Sequence, residues 1–133
     1  MKIMFSAGEA SGDTHGASVA KALLEKYPEA QLFGMGGDLM KQAGVDIIYD
    51  IQQLGFIGIV EIVKHLPTFF KLRSFLKEAM LREKPDVLVC IDYPGFNMKL
   101  AKNYIYLWCT ILHLPFGLGI KVVAKVLLKR SQK

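Results

Sequence analysis

Apolar runs alternate with amphipathic stretches along this chain, and that alternation sets the expected order of elements. Lys2 to Phe5 (KIMF) is a short apolar run that predicts a buried strand. Gly16 to Lys26 follows with Val19, Ala22 and Leu23 on one face at helical spacing, and Pro28 stops it. QLFG, Gln31 to Gly34, predicts a second strand, and GMGGDLMKQAG a glycine turn opening a short helix that Gly44 closes. Asp46 to Tyr49 would be a third strand. The stretch LGFIGIVEIVKHLPTFFKLRSFLKEAMLREK then predicts a long helical segment interrupted by Pro67, with Ile62, Leu66, Phe69, Phe70 and Leu76 recurring at helical spacing. In PDVLVCIDYPGFN the run Val87 to Ile91 is the strongest strand, flanked by Asp86 and Asp92, and Met98 to Lys102 predicts a helix after it. Near-continuous apolarity is what a parallel strand covered on both faces requires. Strands alternating with helices predict an α/β fold, a Rossmann-like doubly wound parallel sheet whose ligand crevice lies beyond the carboxyl ends of the strands.

Composition changes that picture in two places. At 133 residues the chain is one domain's worth, yet 52% of it is hydrophobic and its mean hydropathy is +0.29, high for a small domain. The excess implies apolar surface meant for a partner, a missing half or a membrane. The net charge of +5 suggests nucleic acid until it is located: Lys121, Lys125, Lys129, Arg130 and Lys133 carry it, leaving twelve bases against twelve acids upstream. No zinc-finger, helix-turn-helix or RNA-binding pattern accompanies it, so nucleic acid is not expected as a partner. The two cysteines, Cys90 and Cys109, lack metal-ligand spacing, and no metal or disulfide is expected. With only three apolar residues after Met-Lys, the start carries no secretory signature, and a reduced, cytoplasmic compartment is expected.

Two stretches carry candidate chemistry. SAGEASGDTHG, Ser6 to Gly16, sits where the first strand hands over to a helix, so its glycines would let a ligand approach the main chain. It is neither a dinucleotide fingerprint nor a P-loop, and Glu9 and Asp13 would repel a pyrophosphate while suiting a hydroxyl-rich ligand. The same residues also read as a tight turn with Ser11 or Asp13 capping the helix. In CIDYPGFN, Asp92 follows the buried strand, where a carboxylate would be partly desolvated and readier to take a proton as a general base. Alternatively it only starts the Tyr-Pro-Gly turn. Asn97 would orient a substrate hydroxyl or cap the helix after it.

SAGEASGDTHGA, GMGGDLMKQAG, LGFIGIVEIVKHLP and KPDVLVCIDYPGFN, in that order and spacing, resemble the N-terminal part of the lipid-A-disaccharide synthases, inverting GT-B glycosyltransferases of lipid A biosynthesis. The resemblance covers Lys2 to about Lys102. It implies an enzyme that condenses UDP-2,3-diacylglucosamine with 2,3-diacylglucosamine 1-phosphate (lipid X), giving lipid A disaccharide 1-phosphate and UDP. No cofactor is implied beyond the UDP-sugar donor. Asp92 matches the family's favoured general base. Glu9, Ser11, Gly12, Asp13 and Gly16, with Gly36, Gly37 and Asn97, would line the acceptor side of the cleft, the small residues making room for a sugar and the acids holding its hydroxyls. Val60, Ile62, Val63, Leu66, Phe69 and Phe70, beside Lys64, Lys71, Arg73, Lys77, Arg82 and Lys84, form either a core-facing helix with a basic outer face or an interfacial helix on anionic lipid. The resemblance favours the second, peripheral at the cytoplasmic face of the inner membrane.

The chain also departs from the pattern. Gly95 stands where many relatives carry a second acid, so Asp92 is not read as half of a carboxylate pair. Beyond Asn103 the likeness gives out, dividing the chain into an acceptor-side Rossmann-like domain, 1–103, and a divergent apolar then basic tail, 104–133. GIKVV echoes the relatives' next strand at a lengthened spacing. Tyr104 to Ile120 is an uncharged run of seventeen residues, open to reading as a membrane span, a buried or surface segment, or the product of an altered frame. No nucleotide-sugar domain is expected within this chain, and the expectation is a truncated form that is inactive alone. The alternative is a non-catalytic Rossmann-like or membrane-associated module that binds a lipid-linked sugar.

Overall fold

The computed structural model describes residues 1–54, 66–92, 94–102, 108–109 and 123–126. Four parallel strands form its centre: β1 (Lys2–Ala7), β2 (Gln31–Gly36), β3 (Asp46–Asp50) and β4 (Val87–Ile91). Around them lie helices α1 (Ala10–Lys26), α2 (Asp38–Gln42), α3 (Leu66–Glu83) and α4 (Pro94–Lys102), with a single 3₁₀ turn at Ile51–Leu54. Two short strands, β5 (Trp108–Cys109) and β6 (Val123–Val126), complete a sheet in the order β3-β2-β1-β4-β6-β5. The strand at Val123–Val126 runs antiparallel to β4; of the stretch GIKVV, 119–123, only Val123 lies within the described residues.

The period-two alternation of β1 and β4 divides the core into two layers. Ile3, Phe5, Ala7, Val89 and Ile91 face α1 and α2 on one side. Met4, Leu88 and Cys90 face Leu72, Leu76, Ala79 and Met80 of α3 and Leu100 of α4 on the other. Both faces are covered, which is why these strands carry almost no polar position.

Helix boundaries differ from the sequence expectation in two instructive ways. α1 begins at Ala10, not Gly16, so most of the glycine-rich stretch is helical. Glycine is a poor helix former, but Gly12 and Gly16 are one turn apart on the buried face, and the close packing they allow outweighs the propensity. α4 likewise starts at Pro94, because proline suits the first helical position. Pro67 is the second residue of α3, and the part of the expected long segment before Leu66 lies outside the described residues. The inward stripe of α3 is Leu72, Leu76, Ala79 and Met80, while Phe70 is 54% exposed and off that stripe. At its end Lys84 turns left-handed (φ 48°) with its amide on Met80 O, and Pro85 prevents continuation.

Gly44 closes α2 as expected. With φ 95°, its amide bonds Lys41 O while Val45 N–H bonds Met40 O, the two bonds of a Schellman motif.

Candidate active site

The strand order places a topological switch point between β1 and β4. From β1 the chain builds outward through β2 and β3, and then returns to the other flank of β1 as β4. Loops leaving β1 and β4 therefore diverge, and a crevice opens at their carboxyl ends. Ala7 is in register with Ile91, which sets Gly8 and Glu9 across from Asp92.

Asp92 is exposed, so the partial desolvation expected of it is absent: the residue lies just past the last buried position of β4. Its backbone is left-handed, φ 55°. Its carboxylate reaches α1, where Ser11 Oγ donates to Asp92 Oδ2 at 3.3 Å. A Cβ at position 12 would stand 3.0 Å from the same oxygen and 3.3 Å from Ala7 Cβ, so Gly12 provides the space in which that carboxylate sits. Glu9 occupies the N-cap of α1 in extended backbone and is exposed at the same rim.

Asn97 lies beneath them, 4% exposed. Its Nδ2 donates to Asp92 O at 2.8 Å, with Ser6 O and Ile91 O at 3.3 and 3.4 Å, and its Oδ1 accepts from Ser6 Oγ at 2.6 Å. The side chain thus ties the ends of β1 and β4 to the start of α4. Ser6 escaped the sequence reading, although a hydroxyl inside an apolar strand signals a buried hydrogen bond to be satisfied.

The remaining candidates cluster one layer away. Asp13 is 6% exposed, with Oδ1 accepting from Gly37 N–H (2.8 Å) and Met40 N–H (3.0 Å) and Oδ2 from Leu39 N–H (3.0 Å). It caps α2 rather than its own helix, answering amides that the start of a helix leaves without partners. A Cβ at Gly37 would meet Asp13 Oδ2 at 2.7 Å, and one at Gly16 or Gly36 would meet Met40 Sδ at 2.5 Å. Met40 and the Asp13 carboxylate fill the room these glycines leave, so the space there is taken by the protein itself.

Of the residues read as membrane contacts, Val60, Ile62 and Val63 lie outside the described residues, and Leu66 opens α3. Phe69 is half-buried and edge-on to Phe96 (6.3 Å between centroids). Phe70 is exposed, with the Arg73 guanidinium 5.1 Å from its ring centre. No helix among the described residues is long and apolar enough to cross a membrane.

A depression of about 430 Å³ lies at the opposite, amino end of the sheet, lined by Lys2, Gln31, Asp46, Arg82 and Glu83 among others. Its cations are both engaged by Glu83, Lys2 Nζ at 3.1 Å and Arg82 Nε at 2.9 Å, and the switch point is at the other end. The chemistry therefore favours the crevice at the switch point.

Fold and crevice together define an α/β Rossmann-like protein, an arrangement consistent with the N-terminal half of a GT-B glycosyltransferase. A family model for lipid-A-disaccharide synthetase matches residues 3–113, and the chain belongs to that family. A lipid-A-disaccharide synthase of Xanthomonas campestris pv. campestris is 44% identical over 101 residues, 76% of this chain and 23% of that protein. The Koribacter versatilis enzyme of the same name is 45% identical over 104 residues (77% and 27%), and that of Geobacter metallireducens 41% over 101 (76% and 26%). The chain thus spans 23% to 27% of the length of these curated relatives. The family match runs to residue 113, past the residue 103 at which the four motifs give out.

Proposed function

We propose that this chain provides the acceptor side and the general base of a glycosyl transfer that makes the lipid A disaccharide. The acceptor is 2,3-diacylglucosamine 1-phosphate and the donor UDP-2,3-diacylglucosamine. The observation that carries the reading is Asp92: an exposed carboxylate at the switch point, held from one side by Ser11 and given room by Gly12. Ser11 engages Oδ2, leaving Oδ1 for an incoming hydroxyl. Asp92 takes the proton from that hydroxyl as its oxygen attacks the anomeric carbon. The bond from that carbon to the UDP oxygen breaks with inversion, and UDP leaves with the bonding pair. Glu9 and Ser11 at the rim hold sugar hydroxyls. Asp13, Gly16, Gly36, Gly37 and Asn97 shape the wall from behind.

The exposed Phe70, with Arg73 beside it and Lys71 and Lys77 on the same helix, supports peripheral contact with the anionic cytoplasmic face of the inner membrane, from which both acylated substrates are drawn. Residues 104–133 are proposed as a divergent tail, whose strands β5 and β6 extend the acceptor-side sheet beyond β4.

The test is Asp92→Asn, assayed for acceptor binding on the chain itself and for turnover with the remaining region of a relative supplied in trans. General-base loss predicts turnover lower by about 10²- to 10⁴-fold with acceptor affinity kept. Unchanged turnover removes Asp92 as the base. Acceptor binding without turnover in the unsubstituted protein leaves a sugar-lipid binding module.

A further inference from the structure

Ser6 is fully buried, and its hydroxyl gives its proton to a single acceptor, Asn97 Oδ1, at 2.6 Å. Around the other end of that amide stand three carbonyl oxygens, of Asp92, Ser6 and Ile91, at 2.8 to 3.4 Å from Nδ2. An amide has two N–H donors and an acceptor oxygen, so its orientation matters. Turned by half a rotation, Oδ1 would face the carbonyl oxygens and every one of these bonds would fail. The carbonyl oxygens, which only accept, fix the observed orientation, and it leaves the buried Oδ1 relying on the Ser6 hydroxyl as its donor, with no solvent at hand to replace it.

That orientation bears on Asp92. Its carbonyl is the nearest acceptor of Asn97 Nδ2, and its φ of 55° is in the left-handed region, which aspartate enters more readily than most residues but which still costs free energy that the surroundings must offset. In this conformation the side chain leaves β4 toward Ser11 and Gly12 on α1. In the extended conformation of the preceding strand it would leave in another direction.

We propose that Ser6 is a positioning residue: through the Asn97 amide it holds Asp92 left-handed and so keeps its carboxylate over the crevice. The consequence for turnover rests on Asp92 being the base; the conformational device does not. Ser6 touches no reacting atom in this scheme.

The experiment is heteronuclear NMR of the full chain, reading the intraresidue amide-to-Hα cross-peak of Asp92, which a positive φ makes strong. Ser6→Ala is expected to lose that strong cross-peak and Ser6→Thr, which keeps the hydroxyl, to retain it. Ser6→Cys, of nearly the same shape but a much weaker donor, gives the same reading as alanine and serves if the alanine variant does not fold. In the trans turnover assay the alanine variant should lower kcat while leaving the acceptor KM in place. A folded Ser6→Ala or Ser6→Cys protein that keeps the strong Asp92 cross-peak overturns the proposal. If Asp92→Asn retains turnover, the base reading falls, and the cross-peak still decides the role of Ser6.

Discussion

At the scale of single residues, the molecule separates side chains that face the crevice from side chains that build it. Asp13 shows the difference. Its type and place suggested a sugar ligand, but its two oxygens take three main-chain amides of the turn entering α2. Asp13→Ala would leave those buried amides without acceptors and is expected to cost about 2–4 kcal/mol in urea unfolding. A loss below about 0.5 kcal/mol would show that water replaces the carboxylate. Asp92 was legible as the first polar residue after the strongest strand. Its exposure was not, because burial one residue beyond a strand depends on what packs over it. Ser6 and Asn97 were legible only as separate polar residues, since ninety-one positions part them in sequence.

At the scale of elements, close approach decides more than propensity does. Gly34 has φ 149° at the register shift between β2 and β3, and a Cβ there would lie 2.1 Å from Phe5 O on β1. Neither the dihedral nor the space admits a side chain. Gly34→Ala is expected to destabilise the protein by at least about 3 kcal/mol, measured by urea unfolding, because β1 and β2 must part. An unchanged midpoint would mean that the strands separate without penalty. The sequence pattern carried the existence and order of β1 to β4 and of the helices through α4. It misplaced the starts of α1 and α4, where glycine and proline read as loop signals although one packs closely and the other opens a helix. At Phe70 the pattern left two readings open, because an aromatic residue at helical spacing fits an apolar stripe or an exposed cation-capped site equally well; the residue is exposed, with Arg73 beside it.

At the scale of the whole molecule, the two ends of the sheet do different work. At the amino end Glu83 joins α3 to β1 through Lys2, and the hydrogen bonds from Arg82 and Lys2, with the Lys2 charge, hold its carboxyl below the ordinary value of 4.5. A depressed carboxyl contributes stability that is fully present above its unfolded pKa and lost as pH falls through the folded one. Glu83→Gln should therefore narrow the stability gap to the parent below pH 4.5, in a melting series from pH 6 to pH 3; a gap independent of pH would show that the ion pairs contribute nothing. At the carboxyl end the crevice exists because β4 returns beside β1. Composition and periodicity predicted a crevice beyond the strands, but strand order is a property of the assembled sheet, and only that order brings Glu9, Ser11 and Asp92 together.

The most direct test of this placement is a titration of the labelled chain with a short-chain acylated glucosamine 1-phosphate, followed by amide chemical shifts. Binding at the switch point predicts that Gly8, Glu9, Ser11, Gly12 and Asp92 move together while Gln31, Asp46 and Glu83 stay in place. Shifts confined to Lys2, Gln31, Asp46, Arg82 and Glu83 would put the sugar in the depression at the amino end and contradict the account.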